Sequence, residues 1–214
     1  MKFERPWGET SRAFSLNPAP AYSAWSAGDC VSDIMMVRPT RLSFFLEREL
    51  RSDHAGETGA VSIYRGIIAV ARWRSDQALI AFATQHGQTE SEHLRLIENW
   101  LPPNRRSRLL GPWRLAGWLT GALPALMGRR AVYATIAAVE TFVDRHYQHQ
   151  IEYLIRDGGP DGLLSLLERC QADEIHHRDE AALGAGGKLP WALRVWCSMV
   201  GVGSAAAVVV ARRI

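Results

Sequence analysis

Four glutamates occupy helix positions that the apolar pattern would bury, and two of them are followed three residues later by a histidine. In HAGETGA, residues 54–60, Glu57 shares a face with apolar residues that recur at the spacing of an amphipathic helix. A buried, unpaired carboxylate is costly, so a fold normally protonates it or avoids it. Three later helices repeat the pattern, and the candidate residues are Glu57, Glu90, His93, Glu140, Glu174 and His177.

The spacing of these glutamates is an internal repeat. Glu57 precedes Glu90 by 33 residues, and Glu140 precedes Glu174 by 34. If each pair belongs to an antiparallel helical hairpin, both of its glutamates lie roughly 25 Å from the connecting turn, at 1.5 Å per residue. Two such hairpins packed together would bring four carboxylates and two imidazoles to one level of a bundle core.

This combination is the carboxylate-bridged pattern of ferritin-like bundles, in which two helices each supply a Glu and two supply a Glu-x-x-His pair. Four carboxylates balance two divalent cations, and oxygen-rich ligation with one imidazole per metal suits iron or manganese better than zinc or copper. The alternative, a set of unrelated polar core residues, is disfavoured because six ligand-type residues occur at matched depth. In DEIHH, residues 173–177, Asp173 with His176 is a competing register to Glu174 with His177.

The segments that carry these residues are predicted to be helices separated by clear breaks. Helices are predicted at residues 42–73, 75–100 with Ser75 as N-cap, 108–127, 130–156, 161–183 and 191–212. No stretch alternates with the period of a strand. The predicted class is therefore all-α, a ferritin-like four-helix bundle with two additional apolar helices.

Composition narrows the class of protein further. The mean hydropathy of −0.11 is not that of a polytopic membrane protein, and the arginines behind the net charge of +3 are too scattered to indicate nucleic-acid binding. Cys30, Cys170 and Cys197 are far apart, which fits a reducing compartment and argues against a zinc cluster. We expect residues 1–40 to be a loosely ordered arm and residues 41–214 to form one ferritin-like domain.

Several motifs make the chain resemble one diiron family, the demethoxyubiquinone hydroxylases of ubiquinone biosynthesis. The resemblance runs from about Arg51 to Pro190, whereas residues 1–40 and the last helix depart from the family. The motifs are DHAGETGAVSIYRG, the Glu90/His93 pair, AVETFVDRHYQHQIEYL and DEIHHRDEAALGAGGKLP.

The resemblance implies an O2-dependent monooxygenase that hydroxylates a polyprenylated 6-methoxy-3-methyl-1,4-benzoquinol, demethoxyubiquinol. It implies two Fe2+ ions held by the six candidate residues, and NADH as the electron source, with the quinone ring relaying electrons. His146 and Tyr147 match a His-Tyr pair that lies beside the quinone site in the family. By analogy with larger diiron proteins, Asp173 is expected to support His93 from outside the metal layer.

Two apolar segments suggest how such a protein meets a polyprenyl substrate. Residues 109–128 and 195–214 are rich in apolar or small residues, carry tryptophan and are bounded by arginines. Both apolar runs fall short of the roughly 20 residues that span a bilayer, so we expect monotopic association with the cytoplasmic face of a bacterial cell membrane. Ordinary bundle helices or an oligomer contact are the alternative. Expected partners are the membrane surface, a second copy of the chain or other ubiquinone-biosynthesis proteins.

Two other classes of function compete with the hydroxylase. A ferritin-like iron-oxidising or storage protein would share the six ligands but would not need HAGE, the His146–Tyr147 pair or the apolar third helix. A non-enzymatic quinone- or lipid-binding protein would not need the six candidate metal ligands to occur together.

Overall fold

The computed structural model describes residues 42–214, and within them all regular structure is helical. The all-α prediction is confirmed, while the arm expected at residues 1–40 lies outside the described residues. A short 3-10 turn at Pro103–Arg105 follows the second helix. The α-helices are α1 (Phe44–Trp73), α2 (Gln77–Trp100), α3 (Leu110–Met127), α4 (Arg129–Asp157), α5 (Leu163–Ala185) and α6 (Trp191–Ala211).

Two hairpins, α1–α2 and α4–α5, make up the bundle. The sequence prediction for the start of α2 was wrong by one residue, because Asp76 rather than Ser75 is the N-cap. Ser75 has a φ of 54° and belongs to the turn, where it directs the chain so that the Asp76 carboxylate accepts a hydrogen bond from the Leu79 N–H at 3.0 Å.

The apolar core has two large clusters along the bundle, and a third, small cluster lies between α4, α5 and α6. One large cluster contains Ile67, Leu79 and Ile136, and the other contains Leu50 and Leu167. The predicted glutamates fall between the two large clusters along each of the four helices. The bundle therefore buries a polar layer between two apolar regions.

The third and sixth helices cover one side of this bundle, packing on α1 and α4. Glycines let α3 approach α1 closely, because a Cβ at Gly117 would overlap the Gly59 carbonyl and a Cβ at Gly121 would overlap the Ile63 carbonyl. The first half of α6 is held on α4 by Trp196, whose indole N–H donates a hydrogen bond to the Thr135 hydroxyl at 2.8 Å.

The last helix has nearly the bounds that the sequence predicted, but its apolar character extends further than the sequence analysis counted. With 21 residues, α6 is long and apolar enough to cross a membrane by length and composition, and only 6% of its most apolar window is buried. The expectation that its apolar run is too short to span is wrong by length and composition. The same length and composition also fit a helix that lies along a bilayer surface.

The glycine contacts generate a stability prediction. Gly121→Ala should lower the free energy of unfolding by about 1–3 kcal/mol, because the new methyl group meets backbone atoms that cannot rotate away. Gly111→Ala is the matched control on the same helix, since a Cβ there meets nothing within 4 Å. Thermal unfolding of both variants measures the difference. Equal stability of the two variants would contradict the close packing of α3 on α1.

Candidate metal centre

The six candidate ligands converge in the polar layer at the middle of the bundle. Each is buried, with at most 4% of its surface exposed. They form two overlapping groups in which one ligand atom from each residue lies within 4.8 Å of the others: Glu57, Glu90, His93 and Glu174, and Glu90, Glu140, Glu174 and His177. Glu90 and Glu174 belong to both groups, so their carboxylates connect the two.

The histidines cross between the hairpins in a reciprocal arrangement. His93 of α2 places its Nδ1 3.1 Å from Glu174 Oε1 of α5. His177 of α5 places its Nδ1 3.0 Å from Glu90 Oε1 of α2. Each imidazole therefore faces the carboxylate of the opposite Glu-x-x-His pair.

Two buried tyrosines repeat this reciprocity on α1 and α4. The Tyr147 hydroxyl of α4 donates a hydrogen bond to Glu57 Oε1 at 2.5 Å. The Tyr64 hydroxyl of α1 donates to Glu140 Oε1 at 3.3 Å. Each tyrosine follows the glutamate of its own helix by seven residues and contacts the glutamate of the other.

The histidine orientation is fixed from outside the layer. Asp173 Oδ2 lies 3.0 Å from His93 Nε2, as expected from the sequence, and so leaves Nδ1 directed at the layer. The competing register is not formed, because the His176 side chain is 70% exposed and lies 3.8 Å from Glu180 rather than at the layer. His177 is the histidine of this motif that the structure places beside Glu90.

Burial of so many carboxylates perturbs their protonation. Burial raises the pKa of Glu57 and Glu140 well above the usual glutamate value, and the neighbouring charges of Glu90 and Glu174 raise it further. Burial lowers the pKa of His93, but hydrogen bonds to Asp173 and Glu174 outweigh it and raise that pKa to about 12. Without a metal, His93 therefore keeps its proton at neutral pH.

The donor set fits divalent metal ions. Buried oxygens of three glutamates make no hydrogen bond among the described residues: Glu57 Oε2, Glu90 Oε1 and Glu174 Oε2. His177 Nδ1 approaches the last two, at 3.0 and 3.5 Å, without hydrogen-bond geometry. Unpartnered buried oxygens are costly, and a cation would satisfy them. Oxygen-rich groups with one imidazole each suit iron.

Polar residues that the sequence reading did not assign support His146. Asp53 Oδ1 lies 2.8 Å from His146 Nε2 and accepts a second hydrogen bond from the Gln150 amide at 2.9 Å. The Ser52 hydroxyl is 3.1 Å from the same His146 nitrogen. Asp53 belongs to the same DHAGE motif as Glu57, and this could have identified it from the sequence as a residue of the site. Tyr64 was also missed, although it repeats the seven-residue step from Glu140 to Tyr147.

A cavity of about 390 Å³ leads to the layer between α1, α3, α4 and α6. Its outer wall is largely apolar and includes Trp113 and Ala116 from α3 and Val200 and Val208 from α6. Its inner end is formed by Glu57, Glu90, Glu140, His146, Tyr147 and Glu174. Tyr64, His93 and His177 do not line it, so the cavity reaches the layer from the side of α1 and α4.

The family model and the relatives that match this chain all concern ubiquinone biosynthesis. The family model described as Ubiquinone biosynthesis protein COQ7 matches residues 44–211. The 3-demethoxyubiquinol 3-hydroxylase of Rhodospirillum rubrum is 35% identical over 172 residues, covering 79% of this chain and 78% of the relative. The human mitochondrial NADPH-dependent 3-demethoxyubiquinone 3-hydroxylase is 31% identical over 173 residues, covering 79% of this chain and 78% of the relative.

The buried position of His177 and the exposed position of its neighbour give a ligand prediction. His177→Ala should reduce bound iron well below the content of the unmodified protein, because one imidazole of the layer is lost. His176→Ala is the adjacent control and should leave the iron content unchanged. Iron is measured per chain after anaerobic loading with Fe2+. Iron loss in the control alone would move the ligand set to Asp173 and His176.

The raised pKa values predict that metal binding depends on pH. Metal ligation requires the deprotonated groups, whereas Glu57 and Glu140 have raised pKa values and His93 has a pKa of about 12 in the metal-free protein. Loading at neutral pH should therefore release protons, and the apparent affinity should rise with pH and fall on acidification.

Calorimetric titration of the metal-free protein with Mn2+, in two buffers that differ in ionisation enthalpy, measures this release. Glu140→Ala should release fewer protons, since one of the groups with a raised pKa is absent. A heat of binding that is the same in both buffers would contradict the proposed protonation of the layer.

Proposed function

The chain belongs to the COQ7 family of ubiquinone biosynthesis proteins and is a hydroxylase of that pathway, and we propose that it hydroxylates demethoxyubiquinol with O2 at two iron ions. The observation that carries this proposal is the apolar cavity that ends on the carboxylate–histidine layer. A prenylated quinol has an apolar body and a ring with two hydroxyl groups. The outer wall of the cavity can contact the apolar body, and the polar side chains at its inner end can bind the hydroxyl groups.

The same cavity favours a hydroxylase over an iron store. Uptake of Fe2+ would be favoured by a path lined with carboxylates, since desolvating a cation without ligands is costly. Here the wall from α3 and α6 presents Trp113, Ala116, Gly203 and Val208. Such a wall suits an apolar molecule and excludes water from the inner end.

Iron held by the six residues would supply the electrons and oxidising power that O2 chemistry at an aromatic ring requires. We propose that the side chains at the inner end of the cavity orient the quinol. Tyr147 lines the cavity while its hydroxyl binds Glu57, so its ring separates the substrate space from the layer on that side. This hydroxyl is placed to accept a hydrogen bond from a quinol hydroxyl group.

His146 is proposed as a second orienting residue. Asp53 accepts a hydrogen bond from the Nε2–H of His146 when that nitrogen carries the proton, which leaves Nδ1 as an acceptor. An acceptor of this kind at the cavity can take a proton from a quinol hydroxyl as the ring is oxidised. Asp53 then stabilises the imidazolium through its carboxylate.

The reductant is proposed to be a reduced nicotinamide nucleotide. The family resemblance suggests NADH, whereas the human relative is named as NADPH-dependent. Electrons that enter through the quinone ring would reach the layer through the inner end of the cavity, where Tyr147 and the glutamates lie.

We propose that α3 and α6 lie on the cytoplasmic face of a bacterial membrane and receive the polyprenyl substrate from it. Large apolar side chains on both helices are exposed, including Leu115 at 61%, Met199 at 61% and Val202 at 72%. These two helices also form the cavity wall, so the substrate would pass from the bilayer to the site without crossing water.

Tyr147 and Tyr64 provide a matched test of the hydroxylase function. Each donates one hydrogen bond to a glutamate of the layer, but only Tyr147 lines the cavity. Tyr147→Phe should retain iron and lower hydroxylation by about tenfold or more, as expected for a group that orients substrate. Tyr64→Phe should retain both iron and most of the activity.

The assay is complementation of a strain that lacks its own hydroxylase, with ubiquinone measured against the demethoxy precursor. An iron store would show no difference between the two variants. If the unmodified protein holds two irons and does not convert the precursor, the hydroxylase proposal is wrong and the metal centre stands.

A further inference from the structure

A second recess, of about 400 Å³, lies away from the metal layer and is lined mainly by arginines. It is formed by residues of the segment between α2 and α3, by the residues after α6 and by one residue of α1. The main-chain oxygen of Ile214 accepts a hydrogen bond from the Arg108 N–H at 3.4 Å, which brings the ends of α3 and α6 together there. The arginines are Arg51, Arg105, Arg106, Arg108 and Arg213.

Three of these arginines are held in place by other parts of the chain. Arg51 donates to Glu47 at 2.9 Å and to the Arg105 carbonyl at 2.8 Å. Arg105 also donates to Glu47, at 3.0 Å. Arg106 donates to the Glu98 carboxylate at 2.8 Å. The framework of the recess is therefore ordered before any ligand arrives, which reduces the entropic cost of binding.

The remaining two arginines, Arg108 and Arg213, are exposed and form no ion pair among the described residues. The carboxylates that pair with these guanidinium groups are those of Glu47 and Glu98. The recess thus keeps an excess of positive charge. Guanidinium groups arranged around a recess match the planar, bidentate contacts that phosphate oxygens accept.

The place of the recess indicates where the phosphate comes from. Arg108 lies two residues before α3, and Arg213 lies two residues after α6, so both flank the helices that expose Leu115, Met199 and Val202. A protein that lies on a bilayer through those apolar side chains presents its flanking basic residues to the phosphate level of the headgroups.

We propose that this arginine recess binds a phosphate group carried by the headgroup of an anionic phospholipid, and so fixes the orientation of α3 and α6 on the membrane. The proposal rests on the membrane association in the proposed function, but it does not depend on iron or on hydroxylation. It assigns the recess a ligand that is chemically distinct from the quinol of the metal-centre cavity.

The test compares two double variants of the full chain in vesicle co-sedimentation. Arg108→Gln with Arg213→Gln removes the two unpaired charges, and Arg95→Gln with Arg169→Gln removes two exposed charges from α2 and α5, on the other side of the bundle. Vesicles are phosphatidylcholine alone or phosphatidylcholine with about a quarter phosphatidylglycerol. Thermal unfolding of each variant verifies that the fold is intact.

We expect the recess variant to lose about thirtyfold in partitioning onto the anionic vesicles, equivalent to about 1 kcal/mol for each arginine. The α2–α5 variant should bind them as the unmodified protein does. All proteins should bind the neutral vesicles equally, since that binding reports the apolar face. Equal loss in both double variants would mean a general charge effect and would overturn the recess as a site.

A second arm separates a lipid headgroup from a free phosphate ligand. Inorganic phosphate is added to the unmodified protein and to the recess variant, and the unfolding temperature is followed. If phosphate stabilises the unmodified protein but not the recess variant, while both proteins bind anionic vesicles equally, the phosphate group does not come from a lipid headgroup and the proposal is wrong. Failure of every protein to bind neutral vesicles would count against the proposed membrane association, independently of the result for the recess.

Discussion

Four carboxylates buried in one layer are the constraint on which the rest of this structure depends. Glu57, Glu90, Glu140 and Glu174 are each at most 4% exposed, and none of them forms an ion pair with an arginine or lysine of the described residues. Their charge must be balanced by protons or by cations. The separation of the two large apolar clusters follows from this, because the layer between them cannot be filled by apolar side chains.

The internal repeat makes the layer nearly two-fold symmetric, and the covering helices break that symmetry. The tyrosines and histidines form reciprocal pairs between the halves, yet α3 and α6 pack mainly along α1 and α4. Tyr147 consequently meets the cavity, whereas Tyr64 meets Phe82 and His86 in the core. Two chemically equivalent tyrosines thus acquire different surroundings, and the substrate side of the layer is determined by what covers it.

The sequence predicted most of the bundle and the six ligand candidates, because both follow from helical periodicity and from spacing along the chain. It failed at Ser75, since serine and aspartate have similar capping chemistry and only the backbone conformation distinguishes them. The packing of α3 on α1 was not predictable from periodicity. It depends on where Gly117 and Gly121 meet carbonyls of another helix, which is a tertiary contact. Asp53 and Tyr64 were accessible in principle, through the motif and the repeat.

The apolar wall and the polar site are connected through one buried carboxylate. Arg212, which follows α6, donates two hydrogen bonds to Glu49 Oε2, at 2.7 and 3.0 Å. The same Glu49 oxygen lies 3.9 Å from His146 Nε2, and that nitrogen is bound to Asp53. A change in how α6 covers the cavity would therefore alter the charge beside His146. Because a buried ion pair that loses one partner leaves an uncompensated charge, α6 is held over the cavity by electrostatics as well as by its apolar contacts.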